Sequence, residues 1–154
     1  MTFSVQFQFG DARWRKVRGL AARLETAALR ALLRGKAPRK AALTILLSDD
    51  AQLKALNRDF RGLNKPTNVL SFPAPKNADA YLGDVALAYE VTRAEARAAG
   101  KRFADHATHL VIHGVLHLLD FDHTTDRQAR KMEPLESRIL AEFGIADPYV
   151  TEAA

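Results

Sequence analysis

HLVIHGVLHLLDFDH, residues 109–123, is the stretch around which the rest of this 154-residue chain can be read. His113 and His117 stand four apart, so on an α-helix their rings leave the same face about one turn from each other. His123 follows six residues later. That gap is too long for the same helical face, but it suits a chain that leaves the helix, turns through Asp120, Phe121 and Asp122, and returns a third imidazole toward the first two. Three neutral imidazoles meeting at one point, with a fourth position open, are what a catalytic zinc site requires. Leu110, Val111, Val115, Leu116, Leu118 and Leu119 make the segment apolar on most sides. The spacing therefore predicts a buried central helix over residues 103–119 that carries two of the metal ligands.

The histidine spacing is that of the zinc-peptidase motif H-E-x-x-H-x-x-G-x-x-H, with two departures. Asp120 replaces the turn glycine, a mild change because Asp tolerates the left-handed backbone better than most residues. Gly114 replaces the glutamate. A zinc peptidase needs that carboxylate to move a proton, so peptidase activity is disfavoured.

HGVLHLLDFDH resembles the H-G-x-L-H-L-x-G-[YF]-D-H signature of the YbeY family of bacterial ribosomal-RNA maturation factors, which are metal-dependent single-strand endoribonucleases. LNRDFRGLNKPTNVLSFP (residues 56–73) and LGDVAL (82–87) are similar to that family's other signatures. The resemblance runs over nearly the whole chain, and Asp120 is its visible departure. It implies a zincin-like arrangement in which an edge strand borders the metal cleft, one zinc ion held by His113, His117 and His123, and Arg61 as the catalytic or substrate-binding residue. It also implies action in maturation of the small-subunit (16S) ribosomal RNA 3′ end and in ribosome quality control.

At 154 residues, with 47% hydrophobic and 27% charged, the chain reads as one globular domain, 1–154, with a single core. It has no cysteine, so zinc would need His and carboxylate ligands. The N-terminal MTFSVQFQFG lacks the features of a signal peptide, and no apolar run approaches a membrane span. A cytoplasmic location without membrane contact is expected. A net charge of +5 and a pI near 9.7 favour an anionic partner. With the resemblance, that partner is single-stranded RNA, ribosomal RNA and the small ribosomal subunit, with no DNA expected.

Outward from the motif, the periodicity predicts β-α-β-α-β-β-α-α-α. Residues 2–9 alternate with Phe3, Val5, Phe7 and Phe9 on one side, a strand with one buried face. Asp11 can cap a helix running from Trp14 through Val17, Leu20 and Leu24 to Leu32. Its other side carries Arg13, Arg15, Lys16, Arg18, Arg23 and Arg30, followed by Arg34, either a solvated face or an RNA-backbone contact. Residues 41–47 read as a strand covered on both faces, joined to the first by a right-handed parallel crossover. Asp49 and Gln52 form a capping pattern for a helix burying Leu53, Leu56 and Phe60. Residues 61–67 read as a loop. Residues 68–72 are placed as an antiparallel edge strand beside the metal helix. Residues 81–88 form the last strand, where Gly83 marks a bulge or a close backbone approach. Thr92 and Glu95 read as a capping box for an Ala- and Arg-rich helix ended by Gly100, and Thr125 with Gln128 caps a final helix ended by Gly144. Pro134 lies inside that helix and should kink it. The fold class is thus α/β: a four-stranded mixed sheet, three strands parallel and one antiparallel edge, packed with helices.

Several side chains can serve the cleft. Arg61 is permanently charged and can fork onto two phosphate oxygens. Lys65, Asn68 and His109 are weaker candidates for substrate contact, and His109 could instead sit behind a ligand. Asp122 could orient a ligand or simply cap its turn. His106 is expected to be exposed, Ser71 part of the edge strand, and Asp84 a buried polar group bonding the loop. No residue is an obvious general base. The alternative is a non-catalytic ribosome-assembly factor with a structural zinc site, whose fourth ligand would be Asp120, Asp122 or Asp126.

Overall fold

A computed structural model describes residues 2–63 and 67–149. The elements run β1 (Ser4–Phe9), a 3-10 turn (Ala12–Lys16), α1 (Leu20–Arg34), β2 (Ala42–Ser48), α2 (Asp50–Arg61), β3 (Val69–Pro73), β4 (Tyr81–Ala88), α3 (Tyr89–Ala98), α4 (Phe103–Leu118) and α5 (Asp126–Ala141). The sheet order is β1-β2-β4-β3. β1 and β4 both lie parallel to β2, with Phe7 opposite Ile45 and Ile45 opposite Val85. β3 pairs antiparallel with β4, Ser71 opposite Val85. This is the mixed sheet with one antiparallel edge that the sequence pattern predicts.

One face of the sheet carries most of the core. Leu43, Ile45, Leu47, Val85 and Leu87 pack there with Leu24 and Leu32 of α1 and with Ile112 and Leu116 of α4. The predicted alternation of β1 is kept, its apolar side partly buried against that core and its Ser4, Gln6 and Gln8 side exposed. The other face is covered only toward β3, where Leu53 of α2 meets Leu70, Ala86 and Ala88. Gly83 has φ +133°, and a Cβ there would lie 2.1 Å from the Phe72 carbonyl oxygen. The register of β2 against β4 shifts at the same level, so both readings of this glycine hold.

α4 is pressed onto the sheet. A Cβ on Gly114 would stand 2.6 Å from Val85 Cγ1, and the Ser71 hydroxyl donates to the Gly114 carbonyl at 2.9 Å. Glycine at 114 therefore lets the helix approach β3 and β4.

Four local expectations are corrected. The helix predicted from Asp11 is split: Asp11 caps a 3-10 turn, Gly19 turns left-handed at φ +73°, and α1 starts only at Leu20. The break lets Trp14, 1% exposed, donate from Nε1 to the Ser48 carbonyl at 2.8 Å while its ring meets Tyr89 and Phe103. α3 starts at Tyr89, not behind Thr92, which is buried inside it. Its cap comes from another helix: the Val91 N–H donates to Asp50 Oδ1 at 3.0 Å, and the Asp50 N–H donates to Glu90 Oε2 at 3.2 Å. Phe60 is 69% exposed, because at the last turn of α2 it borders an open groove on the sheet, where its ring meets Phe72 with centroids 5.3 Å apart. Asp84 is exposed and bonds the Tyr81 hydroxyl rather than the loop.

The capping expectations at Asp49 and Thr125 are met. The Gln52 N–H donates to Asp49 Oδ1 at 2.8 Å, and the Thr125 box is reciprocal. α5 runs through Pro134 as one helix, and nothing in the structure explains that proline. No helix among the described residues is long and apolar enough to cross a membrane.

Candidate functional site

The end of α4 sets the position of the third histidine. Asp120 takes the left-handed conformation at φ +70°, its N–H donating to the His117 carbonyl at 3.1 Å and the Phe121 N–H to the Leu116 carbonyl at 3.0 Å. This pair of bonds is a Schellman motif, which closes the helix and turns the chain back over its own end. His123 is thereby carried to within 5.2 and 5.3 Å, ring centroid to ring centroid, of His113 and His117.

The three rings offer one nitrogen each, all within 4.8 Å of one another. His113 Nε2 and His117 Nε2 are 3.0 Å apart, near the roughly 3.3 Å that two nitrogens share on a tetrahedral ion with bonds of about 2.0–2.1 Å. Burial, then the charges of His113 and His123, push the His117 pKa below its ordinary value. This keeps the imidazole neutral, as a ligand must be. The cluster could hold a metal ion, and its donor set of three imidazoles fits one. Asp120, Asp122 and Asp126 contribute to no such group among the described residues.

Behind His113 stands a residue that the sequence reading missed. Glu136 of α5 has no solvent exposure. Its Oε1 lies 3.2 Å from His113 Nδ1 and 2.6 Å from His109 Nε2, and its Oε2 accepts from the Tyr149 hydroxyl at 2.8 Å. Burial alone would raise its pKa, but the hydrogen bonds and charges of His109 and His113 outweigh burial and bring it down to about 2. The same carboxylate, with burial, drives the Tyr149 pKa upward. A fixed anion on Nδ1 holds the His113 ring with Nε2 turned to the cluster. The signal was present in the chain: Glu136 falls at helical spacing among Met132, Leu135 and Ile139, a charged residue on an otherwise apolar stripe.

The other proposed residues divide cleanly. Arg61, at the end of α2 and not in the loop, borders the same cleft of about 530 Å³ as His113, His117, His123, Asp122 and Asn68. Asn68 Nδ2 donates to Glu95 Oε1 at 3.0 Å. Asp122 caps its turn, accepting from the His123 N–H at 2.7 Å and the Thr124 hydroxyl at 3.0 Å, and these bonds lower its pKa. His109 faces Glu136 and a separate hollow lined also by His106, not the cleft. His106 is mostly buried, with Nε2 2.9 Å from Glu95, against the expectation of exposure. Lys65 lies outside the described residues. On the basic side of the N-terminal segment, Arg13 pairs with Asp11 and Glu90, Arg23 with Asp105 and Arg34 with Glu142. These three cations are already engaged within the fold.

Residues 11–144 match the family model described as Endoribonuclease YbeY. The chain belongs to the YbeY family. An Endoribonuclease YbeY of Rhodopseudomonas palustris (strain BisA53) is 52% identical over 119 residues, covering 73% of this chain and 69% of the relative. A second, from Chelativorans sp. (strain BNC1), is 43% identical over 152 residues, covering 96% of this chain and 93% of the relative. Among solved structures, the solution structure of a Thermotoga maritima protein superposes with a TM-score of 0.55 at 22% identity, over 96% of this chain and 99% of that one. The fold is shared with that protein. The YbeY signature blocks thus fall on α4 and its turn, on the α2–β3 segment that carries Arg61, and on β4.

Proposed function

We propose that the chain is a zinc-dependent endoribonuclease that cuts single-stranded RNA. Its place is in 3′-end maturation of the small-subunit 16S ribosomal RNA and in ribosome quality control in the cytoplasm. The single observation that carries the catalytic reading is the meeting of three imidazole nitrogens with Arg61 in one cleft, with no carboxylate completing the group among the described residues. A structural site would fill its fourth position, whereas a catalytic one leaves it to water or substrate. The ribosomal role follows family membership. The helix carrying two ligands beside an antiparallel edge strand is read as a zincin-like arrangement.

His113, His117 and His123 would hold the ion, and an all-nitrogen set without thiolate suits zinc. When bound, such an ion supplies Lewis-acid polarisation and a nucleophile at neutral pH. Glu136 keeps the His113 ring aimed. Arg61 binds the scissile phosphate and meets the negative charge that grows on its oxygens. Asn68 would line the path of the RNA backbone. Asp122 stays ionised in its turn and acts through the position of His123.

The test is cleavage of a single-stranded RNA and of its duplex by the purified protein, together with its metal content. Cutting of the single strand alone, lost in Arg61→Ala while zinc content and melting temperature hold, is the expected result. A wild type that carries zinc yet never cuts RNA would establish the assembly-factor reading instead.

A further inference from the structure

We propose that the groove on the opposite face of the sheet is a nucleobase subsite, in which an unpaired base beside the phosphate held by Arg61 stacks on Phe60. The subsite rests on the endoribonuclease reading above and adds to it how a single strand is recognised.

The groove measures about 850 Å³, within the roughly 300–1,000 Å³ usual for small-ligand sites. Its apolar wall includes Leu56, Phe60 and Phe72, and its polar part Thr44, Tyr81 and Asp84. Among the described residues, Phe60 is the most exposed large hydrophobic one, at 69%, yet its ring is braced against Phe72 at 5.3 Å. An aromatic face that is open on one side and fixed on the other is a stacking platform. The Tyr81 hydroxyl sits between Thr44 Oγ1, at 2.8 Å, and the Asp84 carboxylate, so the groove that Phe60 lines also holds acceptors for the edge of a base. A flat apolar wall beside a polar rim matches a base, whose faces are apolar and whose edge carries N–H donors.

Continuity with the histidine cleft decides the occupant. Arg61, Ser71 and Pro73 border both hollows, so the edge strand β3 is the saddle between them and Arg61, at the end of α2, is reached from either side. Phe60 is the chain neighbour of Arg61. A phosphate on Arg61 therefore brings a flanking nucleotide to Phe60. A flexible single strand can bend over this saddle and splay its base, whereas a paired base in a stiff duplex is not free to leave its stack.

The experiment uses the protein as purified and a single-stranded RNA carrying one 2-aminopurine, placed in turn at each position flanking the cut. Fluorescence is followed by stopped flow in the milliseconds before cleavage. One flanking position is expected to quench on binding. Phe60→Ala and Phe60→Leu should abolish that quench and raise KM about tenfold, the scale of one lost base–aromatic stack, with kcat within about twofold. Leu keeps an apolar contact with Phe72, so its loss separates stacking from packing, and Phe60→Trp should restore both quench and KM. Leu33→Ala, an exposed apolar truncation on α1, serves as the unaffected control. If no position quenches in the wild type, or the quench survives Phe60→Ala, the subsite is refuted while an RNA-cutting wild type leaves the endoribonuclease reading standing. If a Phe60-dependent quench occurs and the wild type never cuts, the endoribonuclease reading fails and the subsite remains.

Discussion

The cleft has two unlike sides. On the α4–α5 side, His113 is backed by a carboxylate with no solvent exposure, itself held by His109 and Tyr149. On the α2–β3 side, Arg61 and Phe60 stand exposed at the last turn of a helix. The first side is preorganised: its polar groups are locked by burial, and an error there propagates into the metal site and the core. The second side has conformational freedom and little packing to lose, so changes there reach the substrate and not the fold. A site of the proposed kind, which would fix an ion and accept a flexible polymer, would divide the two tasks in this way.

The largest expected effect lies on the exposed side. Arg61→Ala should lower kcat by about 10²–10³-fold, the scale of losing one donor to a developing oxyanion, with the melting curve unchanged. A comparable loss of thermal stability would break the contrast. On the buried side, Glu136→Gln should weaken zinc binding by about 10–100-fold, as for other residues that orient a metal ligand. Competition with a chelator measures it, and an unaltered zinc affinity would remove Glu136 from the site's support. Gly114→Ala should destabilise the protein by about 1–3 kcal/mol through overpacking against Val85, read by urea denaturation.

Acid should distinguish the sides as well. In the chelated protein His117 has a pKa below the 6.5 of an unfolded histidine. The folded state therefore binds fewer protons than the unfolded one, and stability present above pH 6.5 is lost as pH falls through the lowered value. Glu136, brought from 4.5 to about 2, adds a second loss between those values, because its ionised form is the one the fold prefers. Urea midpoints across pH 7 to 2 should show both declines, and Glu136→Gln should remove the lower one. The smallest effect is expected at the turn: Asp120→Gly relieves a left-handed backbone and should stabilise by under about 1 kcal/mol, since glycine's greater unfolded-state entropy offsets part of the gain. A clear destabilisation would mean that the Asp120 carboxylate itself contributes.

Much of this was legible before any coordinates. Alternation in β1, the apolar run of β2, the edge placement of β3, the bulge glycine at 83, the Thr125 capping box and the three-histidine spacing are local or periodic signals, and each corresponds to what the chain adopts. The misreadings share one cause. The start of α3 is capped by Asp50, 41 residues from the Val91 amide it accepts. The 3-10 turn before α1 serves the contact of Trp14 with Ser48, 34 residues away. Phe60 lies on a helix's apolar stripe but faces an open groove on the sheet rather than a packed core.

The order of strands and helices and the candidate ligands were thus determined by sequence alone, because both are written in residue spacing along one element. The partnership of Glu136 with His113, the sharing of one cleft by Arg61 and the histidines, and the open groove beside Phe60 were decided only by tertiary structure. Each depends on where two elements distant in the chain come to rest, and periodicity within either element carries no record of that distance.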